Sequence, residues 1–182
     1  MALRRIFTKD DPVLRKKCRP VTEYNERIAQ LMDDLRDTLA EANGLGLAAP
    51  QVGILRRAVI IVDNEETVEL LNPEIIESEG EIGMDEACLS CPGIAGYVVR
   101  PAKVKVRANT RDGEVFEREF EEISARAVCH EADHLDGILF TDIADNVHED
   151  TQEYYDSLND ETEDEVPDDT GENGEDNNPG NS

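Results

Sequence analysis

A chain of 182 residues with 43 acidic and 18 basic side chains carries a formal charge of −25, and its length suits one domain. So negative a surface excludes direct nucleic-acid binding and adhesion to anionic lipid at ordinary ionic strength, because phosphate repels it. No apolar run reaches the roughly 18 residues of a membrane helix, and the first residues form no secretory signal, so the sequence predicts a cytoplasmic protein with no membrane partner.

The charge is unevenly spread. Residues 1–145 hold 29 acids and all 18 cations, whereas the remainder holds 14 acids and no cation. This predicts a catalytic domain over 1–146 and an acidic, disordered tail over 147–182, in which only Tyr154, Tyr155 and Leu158 offer apolar material for a short helix. The body itself has 5 Lys against 13 Arg and an excess of acid, which suits a salt-rich cytoplasm that screens self-repulsion. Cys18, Cys88, Cys91 and Cys129 then read as thiols or metal ligands rather than disulfides.

In chain order, Ile28, Leu31, Met32, Leu35, Leu39 and Ala42 recur at helical spacing and predict a long helix over 23–42, with Thr22 as N-cap and Asn43-Gly44 as the stop. Gly44 is read as the C-cap, and Gly46 as a place where a substrate backbone approaches closely. Residues 44–51 imitate a dinucleotide-binding fingerprint but follow a helix and meet Pro50, which rules that reading out. Strands are predicted at 58–62, 68–71, 75–82, 104–108 and 115–120, with Arg111-Asp112-Gly113 as a hairpin turn between the last two. A second helix runs from about Ser124 to Leu135 and ends before Gly137, and Ile138-Leu139-Phe140 closes the domain. This order predicts α+β architecture with mostly antiparallel sheets around the second helix.

That second helix carries His130-Glu131-Ala132-Asp133-His134, an HExxH pattern. Residues four apart share a helix face, so both imidazoles can reach one metal ion while Glu131 addresses a water. A catalytic site typically adds a third protein ligand and leaves one position open. The candidates are Cys88, Cys91, Cys129, Glu149 and Glu153. Cys129 points about 100° away from His130 around the helix. Glu149 and Glu153 would make a zinc peptidase, but lie where apolar residues run out. Cys88 is the best choice. Cys88 and Cys91 together leave open a closed, non-catalytic Cys/His module, although Pro92-Gly93 favours a turn that sends Cys91 into the core.

Three segments, Gly44-Leu45-Gly46-Leu47-Ala48-Ala49-Pro50-Gln51, Glu86-Ala87-Cys88-Leu89-Ser90 and His130 through Gly137, resemble the peptide deformylase family in sequence, order and separation, over about residues 3–145. The resemblance implies removal of the formyl group from the initiator methionine of nascent polypeptides. It implies Cys88, His130 and His134 as ligands of one divalent metal, Fe2+ in the family, with Zn2+, Ni2+ and Co2+ as alternatives. Glu131 would be the general base, Gln51 and the Leu89 N–H would stabilise the oxyanion, and Leu45, Gly46 and Glu86 would line the substrate cleft. N-formyl-methionyl nascent peptides are the implied partner, with the ribosome exit region as the place of contact. Asp133 is a further candidate for orienting a histidine.

The chain departs from the family pattern at Ala87, where glycine is usual, and at Ala95, where an arginine that could pair with Glu86 is common. Cys129 stands where glutamine is usual. None of these removes a ligand, so activity is expected.

Overall fold

The structure is a computed structural model that describes residues 3–163. In chain order it contains α1 (Glu26–Ala42), β1 (Gly46–Ala48), β2 (Ala58–Asp63), β3 (Glu66–Glu79), β4 (Ile82–Cys88), β5 (Cys91–Arg100), β6 (Lys103–Asn109), β7 (Val115–Glu121), α2 (Glu122–Leu135), β8 (Asp145–Glu149) and α3 (Gln152–Glu163). All strand pairings among these elements are antiparallel. One sheet has the order β1-β2-β3-β6-β7 and the other β4-β5-β8, so the class is α+β with antiparallel sheets.

The five-stranded sheet lies between two apolar layers. On one face Val59, Ile61, Val68, Leu70, Val104, Val106 and Phe120 pack with Ala125, Val128 and Leu135 of α2. On the other, Ala58, Ile60 and Leu71 pack with Leu31, Met32, Leu35 and Leu39 of α1. Successive residues of a strand face opposite ways, so β2 reads as an unbroken apolar run because both its faces are covered. Fully burying each such side chain contributes roughly 1.5–3 kcal/mol, and this layering fixes α2 against β1 and β2.

α1 starts later than its sequence predicts. Its N-cap is Asn25, whose Oδ1 accepts from the N–H groups of Arg27 (3.1 Å) and Ile28 (3.3 Å). Just upstream, the Val21 N–H donates to Asn72 Oδ1 (2.7 Å) and the Asn72 amide donates to the Val21 carbonyl (2.8 Å). That tie holds the chain extended through position 21. At the other end Asn43, with φ 52°, supplies the left-handed cap expected of Gly44. A Cβ on Gly44 would instead stand 2.8 Å from Leu39 and 2.9 Å from Leu89, so the glycine lets Leu89 close over the helix end.

The strands predicted at 68–71 and 75–82 are one strand, β3, whose register with β6 shifts between Leu71 and Glu74, and Ile82 opens β4. Asn72 at φ 51° and Pro73 make the irregularity that looked like a break. β1, β4, β5 and β8 are additional to the predicted set. Strand pairing continues past the boundary expected at residue 146, since Ala95 pairs with His148 and Ile94 with Glu149.

Cys18 and Cys129 are both buried in the layer between α2 and the sheet. Burial pushes each thiol up to about 11. Iodoacetamide at neutral pH is expected to label neither until denaturant is added, as read by mass spectrometry of the intact chain. Labelling of the folded protein at either position would contradict this.

The segment from Thr151 onward forms a separate unit. Within it α3 begins where the Thr151 hydroxyl accepts from the Tyr154 N–H (3.3 Å), and the Tyr154 and Tyr155 rings meet edge to face at 5.4 Å. The disordered tail expected from composition lies, from residue 164 on, outside the described residues.

Candidate active site

β4 and β5 form a hairpin whose turn is Leu89-Ser90, because Cys88 pairs directly with Cys91. The turn expected at Pro92-Gly93 is displaced to this position, and Gly93 sits within β5 at φ 76°. Cys91 is buried with Leu14, Val98, Leu139 and Phe140, while Cys88 faces α2. The Ser90 N–H points at Cys88 Sγ (3.4 Å).

α2 brings His130 and His134 onto the same side, their ring centroids 5.0 Å apart, and Phe140 stacks on His130 at 6.1 Å. Cys88 Sγ lies 3.3 Å from His134 Nε2, and donor atoms of Cys88, His130 and His134 all fall within 4.8 Å of one another. Three lone-pair donors at that spacing suit a tetrahedral ion with its fourth position open. Among the described residues no other Cys, Asp or Glu joins them, so neither Glu149 nor Cys91 completes the set.

The protonation states fit a ligand role. Burial, with His130 and Arg100 nearby, holds His134 well below its ordinary value, which favours the neutral imidazole, and its Nδ1 is buried with no hydrogen-bond partner among the described residues. Contact with the Cys91 sulfur, burial and the Glu131 carboxylate hold the Cys88 thiol above its usual range. A metal cation is what such a thiol needs to become a thiolate. Glu131 is buried too, which pushes its carboxyl up to about 7, and its Oε2 has no hydrogen-bond partner among the described residues.

Behind His130 lies a set of buried charges. Its Nδ1–H donates to Glu86 Oε2 (3.0 Å), which leaves Nε2 for a metal. Arg100 grips the same carboxylate with Nε (2.5 Å) and Nη2 (2.9 Å), and its Nη1 reaches Asp133 (2.8 Å). Arg126 adds a bond to Glu86 Oε1 (2.9 Å) and donates to the carbonyls of Ile82, Met84 and Val98. Burial opposes the charge on Glu86, but the bonds from His130 and Arg100 outweigh it and hold the carboxyl at about 2. Glu86 therefore borders the cleft with its charge turned inward, toward Arg100 and Arg126. Asp133 reaches His130 only through Arg100 and Glu86. Sequence reading missed both arginines, although Arg126 stands four residues before His130 and so on its helix face.

A cleft of about 300 Å³ is lined by Leu45, Gly46, Gln51, Glu86, Ala87, Cys88, Leu89, His130 and Glu131, with Met84 and Ile123 as apolar walls. His134 lies behind it. The short 3₁₀ turn Ala49–Val52 buries Gln51, whose Oε1 accepts from the Ala48 N–H (2.8 Å) while Nε2 points toward Ser90 Oγ (3.2 Å) and Cys88 Sγ (3.7 Å). The close approach at Gly46 is that of Glu131: a Cβ there would stand 2.6 Å from Oε1. Gly46→Ala is expected to lower turnover about 10²-fold by displacing that carboxylate, since misplacement by an ångström costs on that order. Unchanged turnover in a folded Gly46→Ala protein would remove this role for the glycine.

An open Cys/His/His donor set beside a buried carboxylate defines the site of a metal-dependent hydrolase. The sequence profile of the polypeptide deformylase family matches residues 3–150, and the chain belongs to that family. It is thereby a hydrolase of N-formyl peptides. A peptide deformylase of Caldicellulosiruptor bescii is 56% identical over 142 residues, which are 78% of this chain and 86% of that one. The crystal structure of the Thermotoga maritima peptide deformylase superposes with a TM-score of 0.77 at 37% identity, over 80% of this chain and 100% of that one. A peptide deformylase of Acinetobacter baumannii with Met-Ala-Ser bound superposes at 0.74 with 35% identity, over 78% and 98% of the two chains.

Proposed function

We propose that Cys88, His130 and His134 hold one divalent ion, Fe2+, and that the cleft removes the formyl group from the initiator methionine of nascent polypeptides in the cytoplasm, near the ribosome exit. The observation that carries the reading is the convergence of one sulfur and two imidazole nitrogens within 4.8 Å of one another, next to a buried carboxylate oxygen that has no hydrogen-bond partner among the described residues. The soft thiolate with two imidazoles also suits Zn2+, Ni2+ and Co2+. When bound, the ion supplies Lewis-acid chemistry, lowering the pKa of a water and polarising a carbonyl.

The chain's own residues do the rest. Glu131 accepts a proton from the water that adds to the formyl carbon. It then delivers that proton to the amine nitrogen as the C–N bond breaks, so that formate and a free N-terminus leave. A carboxyl near 7 can do both at neutral pH. The Gln51 Nε2 amide and the Leu89 N–H donate to the carbonyl oxygen as it gains charge. Leu45 and Gly46, at the start of the edge strand β1, offer backbone to an extended peptide, and Met84 and Ile123 receive an apolar first side chain. The Met-Ala-Ser held by the Acinetobacter baumannii relative supports a methionyl peptide.

We also infer that the catalytic domain extends to Asp150, since β8 pairs with β5 and the compact unit ends there. The acidic segment beyond it is an appendage for solubility.

The test is formate release from a formyl-methionyl tripeptide by anaerobically purified protein loaded in turn with Fe2+, Zn2+, Ni2+ and Co2+. Turnover with Fe2+ that decays on exposure to air, beside a stable Ni2+ form, is the expected result. A metal-loaded protein that releases no formate with any ion would sink the proposal.

A further inference from the structure

We propose a second binding site, for compact polyphosphate anions, in a cavity separate from the catalytic cleft. The cavity measures about 610 Å³ and takes in Arg4, Arg19, Arg27 and Arg56. Arg4 is paired with Asp34 at 2.6 Å. The others are not paired: among the described residues, the cations with no carboxylate within 4.0 Å are Arg5, Lys9, Lys16, Arg19, Arg27 and Arg56. Half of these stand at one cavity in a chain that has 43 acids. Of the acids among the described residues only Glu23 lines it, where it accepts a 3.4 Å bond from Asn25.

The backbone forces two of the arginines together. Arg19 and Arg56 form an isolated parallel bridge, with the Arg19 N–H donating to Leu55 O (3.2 Å) and the Arg57 N–H to Arg19 O (3.0 Å). Like charges placed opposite each other in this way repel. A bound anion relieves that repulsion, and the planar guanidinium fork matches phosphate oxygens two at a time. Arg27 adds a third cation at the N-terminus of α1, where the helix dipole has the same sign.

The occupant is small rather than an RNA strand. An extended polyanion meets the repulsion of the whole acidic surface, whereas a compact one inside the cavity meets mainly charges within a screening length of about 8 Å. Ile28, Leu31 and Ile54 add an apolar wall against which the base of a nucleotide can rest.

The experiment titrates metal-loaded full-length protein with tripolyphosphate and, separately, with a nucleoside triphosphate, by calorimetry. Arg19→Gln/Arg56→Gln is compared with Arg5→Gln/Lys9→Gln, which removes the same charge elsewhere. Parent and control are expected to bind alike. The cavity variant is expected to bind about tenfold more weakly or worse, as the loss of charge-assisted bonds implies, with formate release unchanged. Arg27→Gln provides an independent loss should the double variant fold poorly. Tighter binding of the nucleoside triphosphate assigns the apolar wall to a base, and equal binding assigns the site to inorganic polyphosphate. No saturable binding, or equal binding by the cavity variant and the control, overturns the proposal, because metal chelation or net charge then accounts for the signal.

Discussion

A Glu131→Gln variant is expected to keep its metal yet release formate about 10²–10⁴-fold more slowly, the range that a positioned proton-transfer group contributes. Glutamine preserves shape but takes up no proton. Cys88→Ala should also abolish turnover, but with the metal lost, so metal content separates a missing base from a missing ligand. The stability of the metal-free proteins should move the other way. Burial is the largest influence on Glu131; His130 opposes it and Glu86 adds to it, and the carboxyl rises from 4.5 to about 7. A carboxyl whose folded value is raised favours the folded state least when ionised, so the parent loses stability as pH rises from about 4.5 through about 7. Glutamine is never ionised. Metal-free Glu131→Gln should therefore melt higher than the parent above pH 7, and the gap should close below pH 5. Near-parent turnover would remove Glu131 from the mechanism, and a lower melting temperature above pH 7 would show that its burial is not the dominant cost.

The candidate ligands and base were legible because their chemistry is local. His130, Glu131 and His134 lie within one turn and a half of helix, and their shared face follows from helical periodicity alone. Cys88 is 42 residues earlier, and elimination among acids and thiols with the resemblance was needed to pair it with them. The layers around the site were legible in part. Val59 to Ile61 and Val104 to Val106 announce strands because both faces of their sheet are covered or alternate cleanly. β4 and β5 do not announce themselves, since buried Glu86 and Arg100 fall where a core position would normally be apolar. The pattern fails there because the site needs buried charge.

Asn72 and Gly46 illustrate a different limit. Asn72 reads as a loop residue beside a proline, and only three-dimensional pairing shows it tying Val21 and bonding to Asn109 (3.1 Å) while β3 passes through. Gly46 reads as room for a substrate backbone, yet the space beside its Cα is the one that Glu131 occupies. Contacts between residues far apart in sequence leave no periodic trace, so neither reason could be read in advance.

Glu86→Gln tests the buried charges behind the proposed metal ligands. Glu86 is the one acid shared by Arg100, Arg126 and His130, and all four side chains are nearly inaccessible to water. Removing one partner of such a set leaves buried charge without compensation, which costs about 3–5 kcal/mol. Glutamine also gives His130 Nδ1–H a weaker acceptor, and losses of this kind reduce metal affinity about 10–100-fold. Denaturant unfolding of the metal-free protein and competition with a chelator read the two effects separately. Arg126 retains the carbonyls of Ile82, Met84 and Val98, and Arg100 retains Asp133, so each guanidinium keeps some partners in the variant. If unfolding and metal retention both stay at parental values, those remaining bonds suffice, and Glu86 neither stabilises the arginines nor sets His130. If stability falls while metal affinity holds, Glu86 serves the fold alone, and the orientation of His130 rests on its stacking with Phe140.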